Sequence, residues 1–209
     1  MKEAEEAGLK LGMTMTEKHT RRANRLKAVI VPAALLTPDD QAIMFELMRE
    51  YYQAITAREF LADLSRKDSV VLLKDAAGAI RGFSTVAAFR VNLDGQPFCA
   101  VFSGDTVIDR RYWGERALGK AFLRRLFAEK IKSPFEPLYW LLISKGYKTY
   151  LMMANNFAEH YPRFEKPTPS RAKSILDSCY STLYPETYDS SRGVIVSGGG
   201  ASRDRKSVV

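Results

Sequence analysis

Between residues 28 and 198 the hydrophobic pattern alternates between the two-residue period of strands and the three-to-four-residue period of helices. Ala28-Val-Ile-Val-Pro-Ala-Ala-Leu-Leu36 reads as a first extended segment. Pro32 places it at a sheet edge or a bend, because proline has no N–H to give to a ladder. Thr37-Pro38-Asp39-Asp40 carries the marks of a helix start: a hydroxyl cap, proline at the first helical position and acids beside the positive dipole end. Ile43, Met44, Leu47, Met48 and Tyr51 follow at helical spacing. Thr56-Ala-Arg-Glu59 is a capping box and predicts a second helix that buries Phe60, Leu61 and Leu64.

After Lys67-Asp68 the period changes. Ser69-Val-Val-Leu-Leu-Lys74 is a buried type of strand, Asp75-Ala-Ala-Gly78 a turn, and residues 80–91 a long second strand. Asp94-Gly95 is a strong hairpin signal, leading into Phe98-Cys-Ala-Val-Phe102 and Ser103-Gly-Asp-Thr-Val-Ile108. Three consecutive antiparallel strands are the simplest reading. The stretch 109–114 breaks the pattern, and a helix is predicted from about Glu115 to Ile131. Its apolar stripe is Leu118, Ala121, Phe122, Leu126 and Phe127, with Lys120, Arg124 and Arg125 toward water. Pro134 and Pro137 close it, and Leu138-Tyr-Trp-Leu-Leu-Ile143 is another buried strand. Residues 147–164 read as helical or irregular, Thr168-Pro169 as the start of a last helix to about Tyr184, and 193–197 as a short final strand. No repeat is visible. The pattern predicts an α/β (α+β) fold with a mixed, mainly antiparallel central sheet, flanking helices and one helix-linked crossover.

Composition narrows the function classes. The 209 residues suit one domain, and two cysteines and two histidines make neither a disulfide framework nor a zinc or multi-histidine centre, so no metal is expected. No apolar run is long enough to span a bilayer, and the acidic N-terminal residues do not resemble a signal peptide. The expectation is a reduced, cytoplasmic protein. The net charge of +8 invites a nucleic-acid reading, but residues 1–27 carry +3 of it and residues 199–209 carry +2. Only +3 remains for the body, which lacks the interleaving of aromatic and basic residues used by single-strand binders. Nucleic acid is therefore not the expected partner, although Thr16 to Lys27 would serve as a basic arm.

The segment Val101-Phe-Ser-Gly-Asp-Thr-Val-Ile-Asp-Arg-Arg-Tyr-Trp-Gly-Glu-Arg-Ala-Leu-Gly-Lys is a strand, a short loop and a helix start. Unsatisfied N–H groups at a helix N-terminus attract an anion, Gly114 and Gly119 let backbone approach a ligand, and Arg110, Arg111 and Arg116 add positive charge. Trp113 would cover a ligand there or staple the loop to the sheet. Tyr147, Tyr150, Met152 and Met153 would line an apolar pocket or belong to the core.

Residues 70–127 resemble the central part of the GNAT superfamily of N-acetyltransferases. Gly78-Ala-Ile-Arg-Gly82-Phe83 looks like its turn into the third strand, and residues 106–123 look like its acyl-CoA loop and following helix. In that family backbone amides of an Arg/Gln-x-x-Gly-x-Gly/Ala stretch hold the CoA pyrophosphate. The matching positions here are Gly114, Glu115, Arg116, Ala117, Leu118 and Gly119, with Gly114 for the leading Arg/Gln and Ala117 for the central glycine. A second frame, Arg116-Ala-Leu-Gly119-Lys-Ala121, matches letter by letter but would lie inside the predicted helix.

The resemblance implies acetyl-CoA or another acyl-CoA as donor, held by Val107, Ile108 and the stretch from Gly114 to Gly119, and a small-molecule amine as acceptor. It implies a base at Asp105, whose burial in an apolar strand would suit proton abstraction. It also implies an acid at Tyr161, from Asn155-Asn-Phe-Ala158-Glu-His-Tyr161, one residue shorter than the family's pattern, with His160 as an alternative base. The Asp105 carboxylate would otherwise accept N–H bonds from Ser103, Thr106 or a nearby loop.

The expected organisation is a basic tail over 1–27, a GNAT-like acyltransferase domain over 28–198 and a flexible tail over 199–209. Two further readings share the fold. One takes the acyl group from an acyl carrier protein whose acidic surface meets Arg110, Arg111, Arg124 and Arg125. The other is a non-catalytic binding module. A homodimer is a further expectation.

Overall fold

The computed structural model describes residues 25–52, 55–143 and 147–196. Most of both expected tails lies outside these residues. The sheet already begins at Lys27, and Leu26 is buried, so the folded body starts before residue 28.

Strand β1 (Lys27–Pro32) leads through a 3₁₀ turn (Ala33–Leu35) into α1 (Pro38–Arg49), and α2 (Ala57–Leu64) follows. Both helices start in complete capping boxes, at Thr37 with Asp40 and at Thr56 with Glu59. Then come β2 (Ser69–Lys74), β3 (Ile80–Leu93), β4 (Gln96–Ile108), a 3₁₀ turn (Arg110–Tyr112) and α3 (Ala117–Lys132). Strand β5 (Leu138–Leu142), α4 (Tyr147–Asn156) and α5 (Ser170–Leu183) complete the main body. The five strands lie in sequence order, antiparallel from β1 to β4, and β5 is parallel to β4 after the α3 crossover. This is the mixed, mainly antiparallel sheet flanked by helices that the pattern predicts. Short strands β6 (Tyr188–Asp189) and β7 (Val194–Ile195) pair separately, so the final strand is shorter than expected and does not join the main sheet.

Both sheet faces are covered, which is why β2 reads as a continuous apolar run. Val70 and Leu72 pack with α1 and α2 residues such as Met44, Met48 and Phe60, while Val71 and Leu73 pack under α3 with Ala121 and Phe122. Helix α5 covers the β4–β5 part of the first face through Ile175 and Cys179.

Several local expectations change. Leu61 is exposed, because the α2 stripe turns only Phe60 and Leu64 inward. Helix α3 starts at Ala117 rather than Glu115, since Gly114 takes a left-handed φ of +88° and Arg116 ends outside the helix as its N-cap residue. Arg125 does not face water: its side chain lies against the sheet, pairing with the buried Glu129 and, at 3.7 Å, with Asp68. Phe127 occupies the outer face instead. Thr168 does not cap α5, whose N-cap residue is Pro169 with no side-chain cap.

Candidate functional site

The feature that positions everything else is an irregularity in β4. Ser84 opposes Thr106 and Val86 opposes Ser103, so Gly104 and Asp105 together face Thr85 as a bulge. The extra residue reverses the alternation. Phe102 and Val107 thus share the sheet face of α1, α2 and α5, whereas Val101 and Ile108 share the α3 face. Only glycine fits at 104, because a Cβ there would stand 2.4 Å from Thr85 Oγ1 and 3.3 Å from Phe102 Cε1. The bulge is tied by the Ser84–Thr106 hydroxyl pair at 2.6 Å and by Thr106 Oγ1 donating to the Gly104 carbonyl at 3.2 Å.

Strand β5 stops at the same level. Pairing with β4 ends at Ser103 opposite Leu142, yet β4 continues to Ile108. The point of divergence is pinned by polar contacts. Trp140 Nε1–H donates to Ser103 Oγ at 3.0 Å, Ser103 Oγ donates to the Leu141 carbonyl at 3.4 Å, and the Tyr180 hydroxyl donates to the Leu142 carbonyl at 2.7 Å. Among the described residues, no strand pairs with β4 on that side from Gly104 to Ile108.

This open edge leads into the loop before α3. Trp113 Nε1–H donates to the Ile108 carbonyl at 2.8 Å, so the tryptophan staples the loop to the sheet, although its ring stays exposed. Buried Tyr112 anchors the loop beneath α3. The three arginines differ in availability. Arg110 stacks on the rings of Tyr51 and Trp113, and its backbone N–H donates to Tyr51 Oη at 3.0 Å. Arg111 is taken by Asp109, whose carboxyl its guanidinium holds below the ordinary range. Arg116, at the N-cap of α3, makes no ion pair among the described residues and is exposed.

The helix mouth itself is basic and uncapped. No side chain caps it, and its first turn holds no acid. Its free N–H groups and dipole end therefore suit an anion. Ala117, which stands where the family pattern has glycine, packs against the α3-side core, so its methyl is occupied there. A Cβ at Gly119 would meet nothing within 4 Å, so the mouth is open on that side. Val107 is buried in the core, Ile108 ends the strand, and Glu115 and Leu118 are partly covered. These residues fit a phosphate-bearing donor: a cradle of backbone N–H groups, a guanidinium with no ion pair among the described residues, and free space beside Gly119.

Asp105 is half-buried rather than sealed in the core. Near it lies a polar group that no local sequence signal reveals. Lys67, its side chain 5% exposed, is held by Asp63 at 2.9 Å and stands over the Phe102 ring at 5.5 Å. Tyr184 packs edge-on against Phe102. Burial pushes the Tyr184 hydroxyl up, and the charges of Asp63 and Asp105 push it further. Thr85 Oγ1 is buried without a hydrogen-bond partner beside the bulge. The arrangement sets a basic mouth on the α3 side and the carboxylates of Asp63 and Asp105 on the other side of the β4 edge.

Tyr161 and His160 follow α4. Phe157 packs edge-on against Trp140, which brings this segment to the divergence point. Arg163 stacks on the Tyr161 ring and donates to the carbonyls of His160 and Ala158. His160 stacks edge-on with Tyr150, and its Nε2 is buried without a partner. Tyr150 Oη accepts the Phe164 N–H, so this tyrosine is tied into the segment. Among the described residues no cluster of metal-ligating side chains occurs and no helix is long and apolar enough to cross a membrane.

No protein-family model matches the sequence, and no curated protein matches it. Among solved structures the chain is similar to an acetyltransferase of Trypanosoma brucei, at 17% identity and a TM-score of 0.45 over 68% of this chain and 99% of that one. It is similar to the glucosamine-6-phosphate N-acetyltransferase of Arabidopsis thaliana at 16% identity, TM-score 0.45, with 68% and 99% covered. It is also similar to the ribosomal-protein-alanine N-acetyltransferase of Brucella melitensis biovar Abortus at 12% identity, TM-score 0.46, with 66% and 99% covered.

Proposed function

We propose that the chain is a GNAT-like N-acyltransferase that moves an acyl group, acetyl in the simplest case, from an acyl-CoA to a small-molecule amine. The observation that carries this reading is the β4 edge that, among the described residues, outruns β5 and leads directly into the uncapped, basic mouth of α3. An extended thioester arm can lie along an unpaired strand edge by main-chain hydrogen bonds, while its phosphates meet the helix mouth. The backbone of Gly114–Gly119, with Arg116, binds those phosphates; Val107 and Ile108 offer the adjoining edge.

The amine enters from the Asp63–Tyr184 side. Asp105 takes a proton from the acceptor's ammonium, and the freed nitrogen attacks the thioester carbonyl carbon. The C–N bond forms, the C–S bond breaks, and the sulfur leaves as thiolate, taking a proton from the Tyr161 hydroxyl; the second proton that the nitrogen sheds on becoming an amide passes through solvent to restore that hydroxyl. Lys67, fixed by Asp63, sets the charge beside Phe102.

Release of free CoA from acetyl-CoA, followed with a thiol reagent across a panel of primary amines, tests this reading. An amine-dependent release that Asp105→Asn lowers by about a hundredfold supports it. Amine-dependent release that Asp105→Asn leaves unchanged removes Asp105 from the mechanism, and no release with any amine counts against the activity.

A further inference from the structure

Helix α3 exposes a row of large apolar side chains. Leu123 is 51% exposed, Phe127 67%, Ile131 77% and, just past the helix end, Phe135 98%. The three helical members are four residues apart and therefore stand in one line, and the same row begins at Gly119 in the mouth. Arg116, Lys120 and Arg124 form the neighbouring row, all exposed and without an ion pair among the described residues. The one acid on the helix, Glu129, is buried and committed to Arg125 and Lys132.

An apolar row this exposed beside an unneutralised basic row marks an interaction surface. Charge selects the partner. A second copy packed on this face by two-fold symmetry would set basic row near basic row. A bilayer would be met by a broad apolar face, whereas this row is one side chain wide. An acidic helical protein satisfies both rows, with its apolar groove on Phe127 and Ile131 and its carboxylates on Lys120 and Arg124. The position of the rows adds a second constraint, because both run into the anion-binding mouth. A protein seated there would deliver a phosphate-ended arm to that mouth.

We infer that the outer face of α3 docks a small acidic acyl carrier protein and that its phosphopantetheine arm enters at Arg116–Gly119. This inference rests on the acyl-transfer reading of the mouth. Of the four arginines expected to meet such a carrier, Arg124 lies in this row; Arg110 is stacked on Tyr51 and Trp113, Arg111 is bound to Asp109 and Arg125 is paired beneath the helix.

The test titrates the full-length chain against a dye-labelled acyl carrier protein loaded with acetyl-phosphopantetheine, with acetyl-CoA in a parallel calorimetric titration. The expected result is carrier binding that weakens with salt and falls at least tenfold in Phe127→Ser and in Arg124→Glu. Acetyl-CoA affinity stays within twofold in both variants, and melting temperatures confirm that both fold. Binding of acetyl-CoA without binding of the carrier overturns the docking surface and leaves the acyl-transfer reading intact. Failure of both ligands removes both. Phe127-dependent sedimentation with phosphatidylserine vesicles, or a wild-type dimer that Phe127→Ser converts to monomer, assigns the face to another partner and overturns the inference.

Discussion

Replacing Gly119 by alanine separates a structural role for the α3 mouth from a binding role. Gly119 is the third residue of α3, and a Cβ built on it meets nothing within 4 Å. Alanine is better than glycine in a helix by about 0.8–1.0 kcal/mol, somewhat less near an end. A gain of about 0.5–1 kcal/mol corresponds to a melting temperature higher by roughly 1–4 °C for a chain of this size. A phosphate on the N–H groups of the first turn would sit about 2.9 Å from their nitrogens. The new methyl needs about 3.5–4.0 Å to any non-bonded atom and so crowds that position. Loss of one charge-assisted hydrogen bond is about 1.5–3 kcal/mol, or roughly ten- to a hundredfold in affinity. Gly119→Ala is therefore expected to melt higher and bind acetyl-CoA at least tenfold more weakly, measured by scanning and titration calorimetry on the same samples. A variant that melts higher and binds equally well refutes the placement of phosphate at this mouth.

Gly104→Ala is expected to lower stability by about 1–3 kcal/mol in urea unfolding, because Thr85 and Phe102 are both buried and cannot yield to the added methyl; an unchanged midpoint contradicts the tight bulge. Burial alone would raise the Glu129 carboxyl, but the Lys132 hydrogen bond and the Arg125 and Lys132 charges outweigh it and hold it below its ordinary value. Its contribution is thus fully present above the ordinary carboxylate range and is lost as pH falls through the depressed native value. Glu129→Gln should cost about 1.5–3 kcal/mol at neutral pH, and the difference should shrink in acid; a gap that widens in acid contradicts the pairing. Cys179 is fully buried and burial pushes its thiol up to about 12, while Cys99 is buried and also raised. Neither should react with a thiol-specific disulfide reagent until the chain is unfolded, and fast labelling of the native protein argues against this packing.

The parts legible in the sequence are those governed by neighbours along the chain. Thr37 and Thr56 cap their helices through residues three positions away, and Asp94-Gly95 turns because both adopt positive φ, 53° and 78°. The loop 114–119 could be found for the same reason, since its glycines and arginines are adjacent. What the sequence hides depends on distant partners. Arg125 reads as a surface residue until Asp68 and Glu129 surround it. Lys67 stands where the hydrophobic period changes, and only the fold sets it over the ring of Phe102. The bulge at Gly104 and Asp105 reverses the strand's alternation, which no two-residue period can anticipate. The parting of β4 and β5 rests on Trp140 and Tyr180, whose hydrogen-bond partners lie 37 and 38 positions away along the chain.

The central claim is that the mouth of α3, with the exposed Arg116 beside it, receives the phosphates of an acyl donor. Calorimetric titration of acetyl-CoA into the wild-type chain and into Arg116→Glu tests it most directly. The account predicts one-to-one micromolar binding in the wild type and an affinity at least tenfold weaker in Arg116→Glu. No heat with the wild type at millimolar acetyl-CoA, or equal affinity in the two proteins, contradicts it.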